Sequence, residues 1–131
     1  MEPVTWNGAI LAYIIQSTMA HEKTVFPTPS DLELQVGFIV YKAGGAITPH
    51  RHVPITRTIN RTCEVLVVKK GRCEVDIFND DQQLIATREL RTGDVVILVG
   101  GGHGFRMQED TVLLEIKQGP YLGLGEKEFL Q

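Results

Sequence analysis

Four ionisable side chains stand at spacings that would let them assemble one metal centre. His50 and His52 lie two residues apart, so on an extended strand both imidazoles leave the same face. Glu64 opens an apolar run in which Glu64, Leu66 and Val68 share a face. His103 follows the glycine run Gly100-Gly101-Gly102 and shares a face with Phe105 and Met107. Three imidazoles and a carboxylate suit a borderline divalent transition metal, one of Fe, Mn, Ni, Zn, Co or Cu, and do not suit calcium or magnesium. Taken singly, each has an ordinary explanation: surface histidines on an edge strand, a solvated strand-end carboxylate, a loop histidine with no partner.

A second group of residues could bind a substrate. Arg57 and Arg61 lie between the proposed ligands, and guanidinium forks match carboxylates and phosphates. Two solvated loop arginines are the ordinary alternative. Near the C-terminus Glu115 and Lys117 share a face opposite Val112, Leu114 and Ile116. A surface pair is the default there, and the sharper reading puts Lys117 and Gln118 near the pocket. Asp94 is expected to support its turn rather than react.

These side chains need strands to position them. Alternation over Leu32 to Tyr41 predicts a strand with Leu32, Leu34, Val36, Phe38 and Val40 on one face. Cys63 to Lys69 reads as a strand that turns at Lys70-Gly71 and returns as Cys73 to Phe78. Further strands are expected at Leu84 to Leu90, Val95 to Val99, Gly104 to Met107 and Thr111 to Lys117. Eight to ten short strands without a long helical pattern argue for an all-β barrel or sandwich. Residues 1–31 read as an N-terminal arm and edge segment, with residues 32–131 as the barrel of a single domain. Within the arm, Ala9 to Ile15 is apolar and is compatible with a helix, and Met19 to Lys23 with one helical turn.

Composition narrows the classes of partner. The 131 residues carry 13 Lys and Arg against 16 Asp and Glu, a net charge of −3 with no basic stripe, which argues against nucleic acid. No apolar run approaches the ~18 residues of a membrane span. The short apolar stretch near the N-terminus follows Glu2 rather than a basic residue, unlike an export signal, so a cytoplasmic location is expected. Cys63 and Cys73 fit that compartment as two buried thiols with no bridge, because a hairpin at Gly71 would place Cys63 opposite position 77 or 78.

The glycine frame around the four ligands resembles the cupin superfamily. Its first motif reads Gly, five residues, His-x-His, three or four residues, Glu, six residues, Gly. Here Gly44 is followed after five residues by His50-Arg51-His52, and Glu64 is followed after six residues by Gly71. The second motif begins Gly-Asp, as Gly93-Asp94, and ends in a histidine after a glycine turn, as His103. Eleven residues, Val53 to Cys63, separate His52 from Glu64, and Val99 stands where the family has proline. The resemblance covers roughly residues 32 to 118. Ile116-Lys117-Gln118-Gly119-Pro120-Tyr121 is also similar to a stretch that ends small uncharacterised cupins.

The resemblance implies an antiparallel β-barrel or jelly roll with little helix, its metal ligands projecting inward and its mouth open to a small molecule. It implies a metal-binding protein acting on, or holding, a small polar metabolite, an anionic one if the arginines act as a clamp. Such barrels host many reactions, so neither a reaction nor catalysis itself is selected. A metabolite-binding sensor module and a barrel with a purely structural metal are the competing readings. Cupin relatives commonly pair, and the expectation is a homodimer in which the N-terminal segment adds a strand to, or covers, the neighbouring barrel.

Overall fold

The computed structural model describes residues 1–131, in which contacts divide the chain into two units: 1–19 with 62–131, and 20–61. The first unit is all β apart from a single 3-10 turn, Gly123–Glu126. Its strands are β1 (Glu2–Trp6), β2 (Ala9–Ile15), β3 (Glu64–Lys70), β4 (Arg72–Phe78), β5 (Leu84–Arg91), β6 (Val95–Leu98), β7 (Gly102–Met107) and β8 (Val112–Lys117). They form two antiparallel sheets, one in the order β1-β2-β6-β3-β8 and one in the order β5-β4-β7. The chain has no helix long and apolar enough to cross a membrane.

Alternation along the strands builds one core between the sheets. Ala12, Ile14, Leu66, Val68, Val96 and Leu98 from the first sheet meet Cys73, Val75, Ile77 and Leu90 from the second. Each is nearly or fully removed from solvent, which is the main stabilising term of the fold. Cys63 and Cys73 are buried and no disulfide joins them, and burial pushes the Cys73 thiol up.

Ala9–Ile15 is a strand, neither helix nor detached arm. It lies between β1 and β6 and is hydrogen-bonded along both edges. The turn that makes this possible is Asn7-Gly8, both at positive φ (48° and 78°), the backbone of a tight hairpin whose twist matches its strands. Met19 to Lys23 forms no helical turn.

The expected hairpin of Cys63–Lys69 with Cys73–Phe78 does not form. Only Gly71 separates β3 from β4, too few residues for a hairpin loop, and the two strands belong to different sheets. Gly71 makes that passage at φ 89°, where a Cβ would run into the Asp110 carbonyl oxygen. Gly101 does the same between β6 and β7, at φ 64° with its Cβ position against the Phe78 carbonyl. These two glycines therefore carry the chain between the sheets, one after Glu64 and one before His103.

One side of the two-sheet unit is tied by an ion pair. Arg88 on β5 donates from Nε to Glu2 on β1 at 2.9 Å, and this contact holds the Glu2 carboxyl below its ordinary pKa of 4.5. Both side chains are substantially exposed, so Arg88→Ala should lower stability by only about 0.5 kcal/mol. Because the folded pKa of Glu2 lies below the unfolded one, that increment is present above pH 4.5 and fades as pH falls through the folded value. Urea midpoints compared at pH 7 and pH 3 check this: the wild-type–variant difference should shrink at the lower pH.

The second unit, 20–61, contains no strand longer than an isolated bridge, Val25 with Phe38. The predicted strand over Leu32 to Tyr41 is thus not formed as a ladder. Its one main-chain bridge within the unit is to Val25 in the stretch 24–28, where Pro27 offers no N–H and Pro29 lies two residues on. His50 and His52 likewise lie outside any strand.

Candidate functional site

Within the first unit, Glu64 and His103 come together from opposite sheets. Glu64 is the first residue of β3 and pairs across with Leu98 and Lys117. His103 is the second residue of β7 and pairs with Ile77, whose side chain is fully buried in the core. Cross-strand partners share a face, so the imidazole and the carboxylate both point between the sheets. Glu64 Oε2 lies 3.2 Å from His103 Nε2. The Glu64 side chain keeps 12% of its exposure and that of His103 36%, so the pair sits at a margin of the core that solvent reaches.

Lys117 turns the same way. As the partner of Glu64 in the β3–β8 ladder it projects between the sheets, with Nζ 3.6 Å from Glu64 Oε1 and 3.7 Å from Glu115 Oε2. Its ammonium also lies 4.8 Å from the centre of the Tyr121 ring, within cation–π range. The face opposite carries Val112, Leu114 and Ile116, each about half exposed. On β8, Leu113 packs against the core, but Val112, Leu114 and Ile116 face outward while Lys117 faces inward, which simple amphipathic reasoning does not anticipate. Glu115, which period two already places on the face of Lys117, joins the site with it, as does Tyr121, which no spacing marks.

The two basic groups hold opposite protonation tendencies. Burial lowers the His103 pKa below 6.5, outweighing the Glu64 carboxylate that acts the other way, so the ring is neutral at pH 7. For Lys117 burial also acts to lower the pKa, but Glu115, Glu64 and Glu126 outweigh it and raise it, so the ammonium stays charged. A neutral imidazole beside an anionic carboxylate is the state in which both can ligate a metal. Two donors bound to one ion at about 2.1 Å and roughly 90–110° apart lie roughly 3.0–3.4 Å from each other, a range that contains the Glu64–His103 separation.

Gln118 follows β8. Its Oε1 accepts the Cys63 N–H at 2.9 Å, while its Nε2 is buried without a partner.

In the second unit His50 and His52 are neighbours, their ring centres 5.3 Å apart and edge to face. His50 Nδ1 is 2.8 Å from the Thr48 carbonyl, which can only accept, so Nδ1 carries the proton and Nε2 presents its lone pair. An orienting contact of that kind is usual behind a metal-bound imidazole. Arg61 is paired with Glu33 at 3.1 Å, and Arg57 is exposed with no partner. No three or more His, Cys, Asp or Glu side chains gather in one group that could hold a metal ion. Within its own unit, Glu64 neighbours His103, and within the other, His50 neighbours His52.

Asp94 acts as a structural tie. Its Oδ1 accepts the Ser17 N–H at 2.7 Å and its Oδ2 the Arg91 N–H at 2.8 Å, fastening the end of β2 to the β5–β6 turn. A further charged network, unmarked in the sequence, lies on the second sheet. Arg106 pairs with Asp76 and, at 2.8 Å, with Glu74, while Thr87 Oγ1 donates to Asp76 at 2.6 Å. All of its members are partnered, which leaves no group there for a ligand.

Searches against protein-family models, curated proteins and solved structures return no significant match.

Proposed function

We propose that this chain is a cupin-type jelly roll that holds one divalent transition metal, with Glu64 and His103 as one pair of ligands and His50 and His52 as the other. The observation that supports it best is the 3.2 Å approach of Glu64 and His103, whose side chains converge from two different sheets. The orientation of His50 by Thr48 and the glycine-framed spacing of the four residues add to it. When bound, the metal would supply a Lewis acid or redox centre.

The ligand of such a centre is a small polar molecule bearing an anionic group. Lys117 supports this choice, because its ammonium is kept charged by the carboxylates around it and stands beside a metal ligand. The unpartnered Gln118 Nε2 offers a further donor, and Arg57 a further cation without an ion-pair partner. Arg61, whose guanidinium is paired with Glu33, is a further cation of the inserted stretch. In this reading the protein works in solution, as a homodimer in the cytoplasm.

Lys117→Met tests the ligand half of the reading. Losing one charge-assisted contact should weaken anionic ligands about tenfold in a calorimetric screen of small carboxylates and phosphates run at saturating metal, because Lys117 also touches the proposed ligand Glu64. Arg57→Ala in the same screen measures any share of the inserted stretch. Unchanged affinity for every anion in Lys117→Met contradicts the role given to Lys117. Metal-dependent conversion of a bound ligand identifies an enzyme; tight binding without conversion identifies a sensor module.

A further inference from the structure

The residues that follow β8 cross the Glu64–His103–Lys117 site within the first unit. Tyr121 sets the centre of its ring 4.8 Å from the Lys117 ammonium. Glu126 lies close enough to help raise the Lys117 pKa, and Lys127 close enough to act on His103 in the lowering direction. Farther on, Leu130 packs on Gly102, where a Cβ would come within 2.7 Å of Leu130 Cδ1. Alternate residues of β7 face opposite ways, so Leu130 rests on the side of that strand away from the His103 ring. The Gln131 N–H then donates at 2.9 Å to Gln82 Oε1, between β4 and β5. The segment thus leaves one sheet at Lys117, passes over the margin where the site opens, and hooks onto the other sheet.

This segment is well held within itself and weakly held down. The Leu122 N–H donates to Glu126 Oε1 at 2.8 Å and the Lys127 N–H to the Leu124 carbonyl at 3.1 Å, so 122–127 closes as a small loop of its own. Its 3-10 turn buries no residue, and Leu122, Leu124 and Phe129 are 73%, 70% and 74% exposed. A segment with so little buried apolar surface opens far more readily than the strands beneath it. Gly119, whose Cβ position has open space around it, gives the chain a pivot next to β8.

We propose that residues 121–131 are an autoinhibitory strap: docked, they set Tyr121 and the Glu126 carboxylate against the Lys117 ammonium in the place of an anionic ligand, and they swing out about Gly119 to admit one. That the ligand is an anion rests on the reading above; the strap itself rests on contacts within one unit. The physical basis is competition. An ammonium shared with a chain carboxylate and an aromatic face attracts a further anion less, so binding is favoured once both are displaced. The apparent affinity is then lowered by the fraction of molecules in which the strap is open.

Pulsed acetylation with acetic anhydride, read by peptide mass spectrometry, measures access to the Lys117 amine without any ligand, with the exposed Lys69 as internal reference. Leu130→Asp removes the apolar contact on Gly102. Gln82→Asn withdraws the acceptor of the Gln131 N–H and tolerates the φ of 63° at that position. Relative to Lys69, Lys117 should react at least about fivefold faster in Leu130→Asp and about twofold faster in Gln82→Asn. Unchanged Lys117 rates in both variants overturn the strap. Inorganic phosphate is the probe for competition, since it should protect the Lys117 amine from acetylation. Half-maximal protection should need at least about threefold less phosphate in Leu130→Asp than in the wild type. The same direction is expected in Glu126→Gln, which removes the competing charge and keeps an acceptor for the Leu122 N–H. Faster acetylation with an equal phosphate requirement in all proteins overturns the autoinhibition. Faster acetylation with no protection by phosphate in any of them keeps the moving strap and removes the anionic ligand.

Discussion

Asp94→Ala should lower the unfolding free energy by about 3 kcal/mol, the largest stability loss expected from any polar residue in this chain. The Asp94 carboxylate accepts the Ser17 and Arg91 N–H groups at 2.7 and 2.8 Å, and the residue is only 8% exposed. Hydrogen bonds to a charged acceptor each contribute roughly 1.5–3 kcal/mol, and truncation leaves two part-buried N–H groups without a partner. Water reaching the turn would recover some of that loss, which is why the expected sum is not larger. Asp94→Asn retains one acceptor oxygen and turns an NH2 toward the other donor, so about half of the loss or more should remain. Denaturant midpoints at constant m-value measure both. A change below about 1 kcal/mol in Asp94→Ala would show that the tie contributes little.

The second large effect is on metal retention. His103→Ala should reduce metal affinity at least about 100-fold, because it removes a nitrogen donor and leaves nothing in its place. Glu64→Gln should reduce it less, since the amide still offers a neutral oxygen at the same position. A carboxamide beside Lys117 also loses the ion pair at 3.6 Å, so the lysine is freer to take an anion. Equilibrium dialysis followed by elemental analysis gives both numbers. Equal loss in the two variants would show that the carboxylate charge matters as much as the imidazole. Full retention in both would remove Glu64 and His103 from the site.

The strands from β3 to β8 were legible because their side chains alternate and their ends are marked by glycine and Asn79-Asp80-Asp81, whereas β1 and β2 were not. Val95 to Val99 and Thr111 to Lys117 differ from β6 and β8 by a residue at one end. Pairing was less legible, since it depends on how many residues separate two strands and on what each edge finds. Asn7-Gly8 between two short alternating runs is a hairpin signal, and it accounts for the place of Ala9–Ile15 inside a sheet. The link at Gly71 was not legible: the predicted strands leave three residues between Lys69 and Cys73, whereas the structure leaves only Gly71, which rules out the hairpin that Val- and Leu-rich flanks suggest.

The candidate site was legible in part for a similar reason. Period-two spacing correctly puts Glu64 with Leu66 and Val68, and their burial carries Glu64 to the inner face. The same periodicity cannot say which face of β8 is inner, because three of its apolar side chains, Val112, Leu114 and Ile116, face out while Lys117 faces in beside Leu113. Alternation does persist as alternating exposure from Leu34 to Tyr41, yet a strand requires a neighbour, and within its unit this run finds only the Val25 bridge.

X-ray absorption at the metal edge of dialysed wild-type protein loaded with one equivalent of cobalt or zinc tests the central claim most directly. The account predicts one tightly held ion per chain, with imidazole nitrogen and carboxylate oxygen at about 2.0–2.2 Å, and with the oxygen contribution altered in Glu64→Gln. Metal that dialyses away completely, or a bound ion whose spectrum shows no imidazole and is indifferent to both Glu64→Gln and His103→Ala, would contradict it.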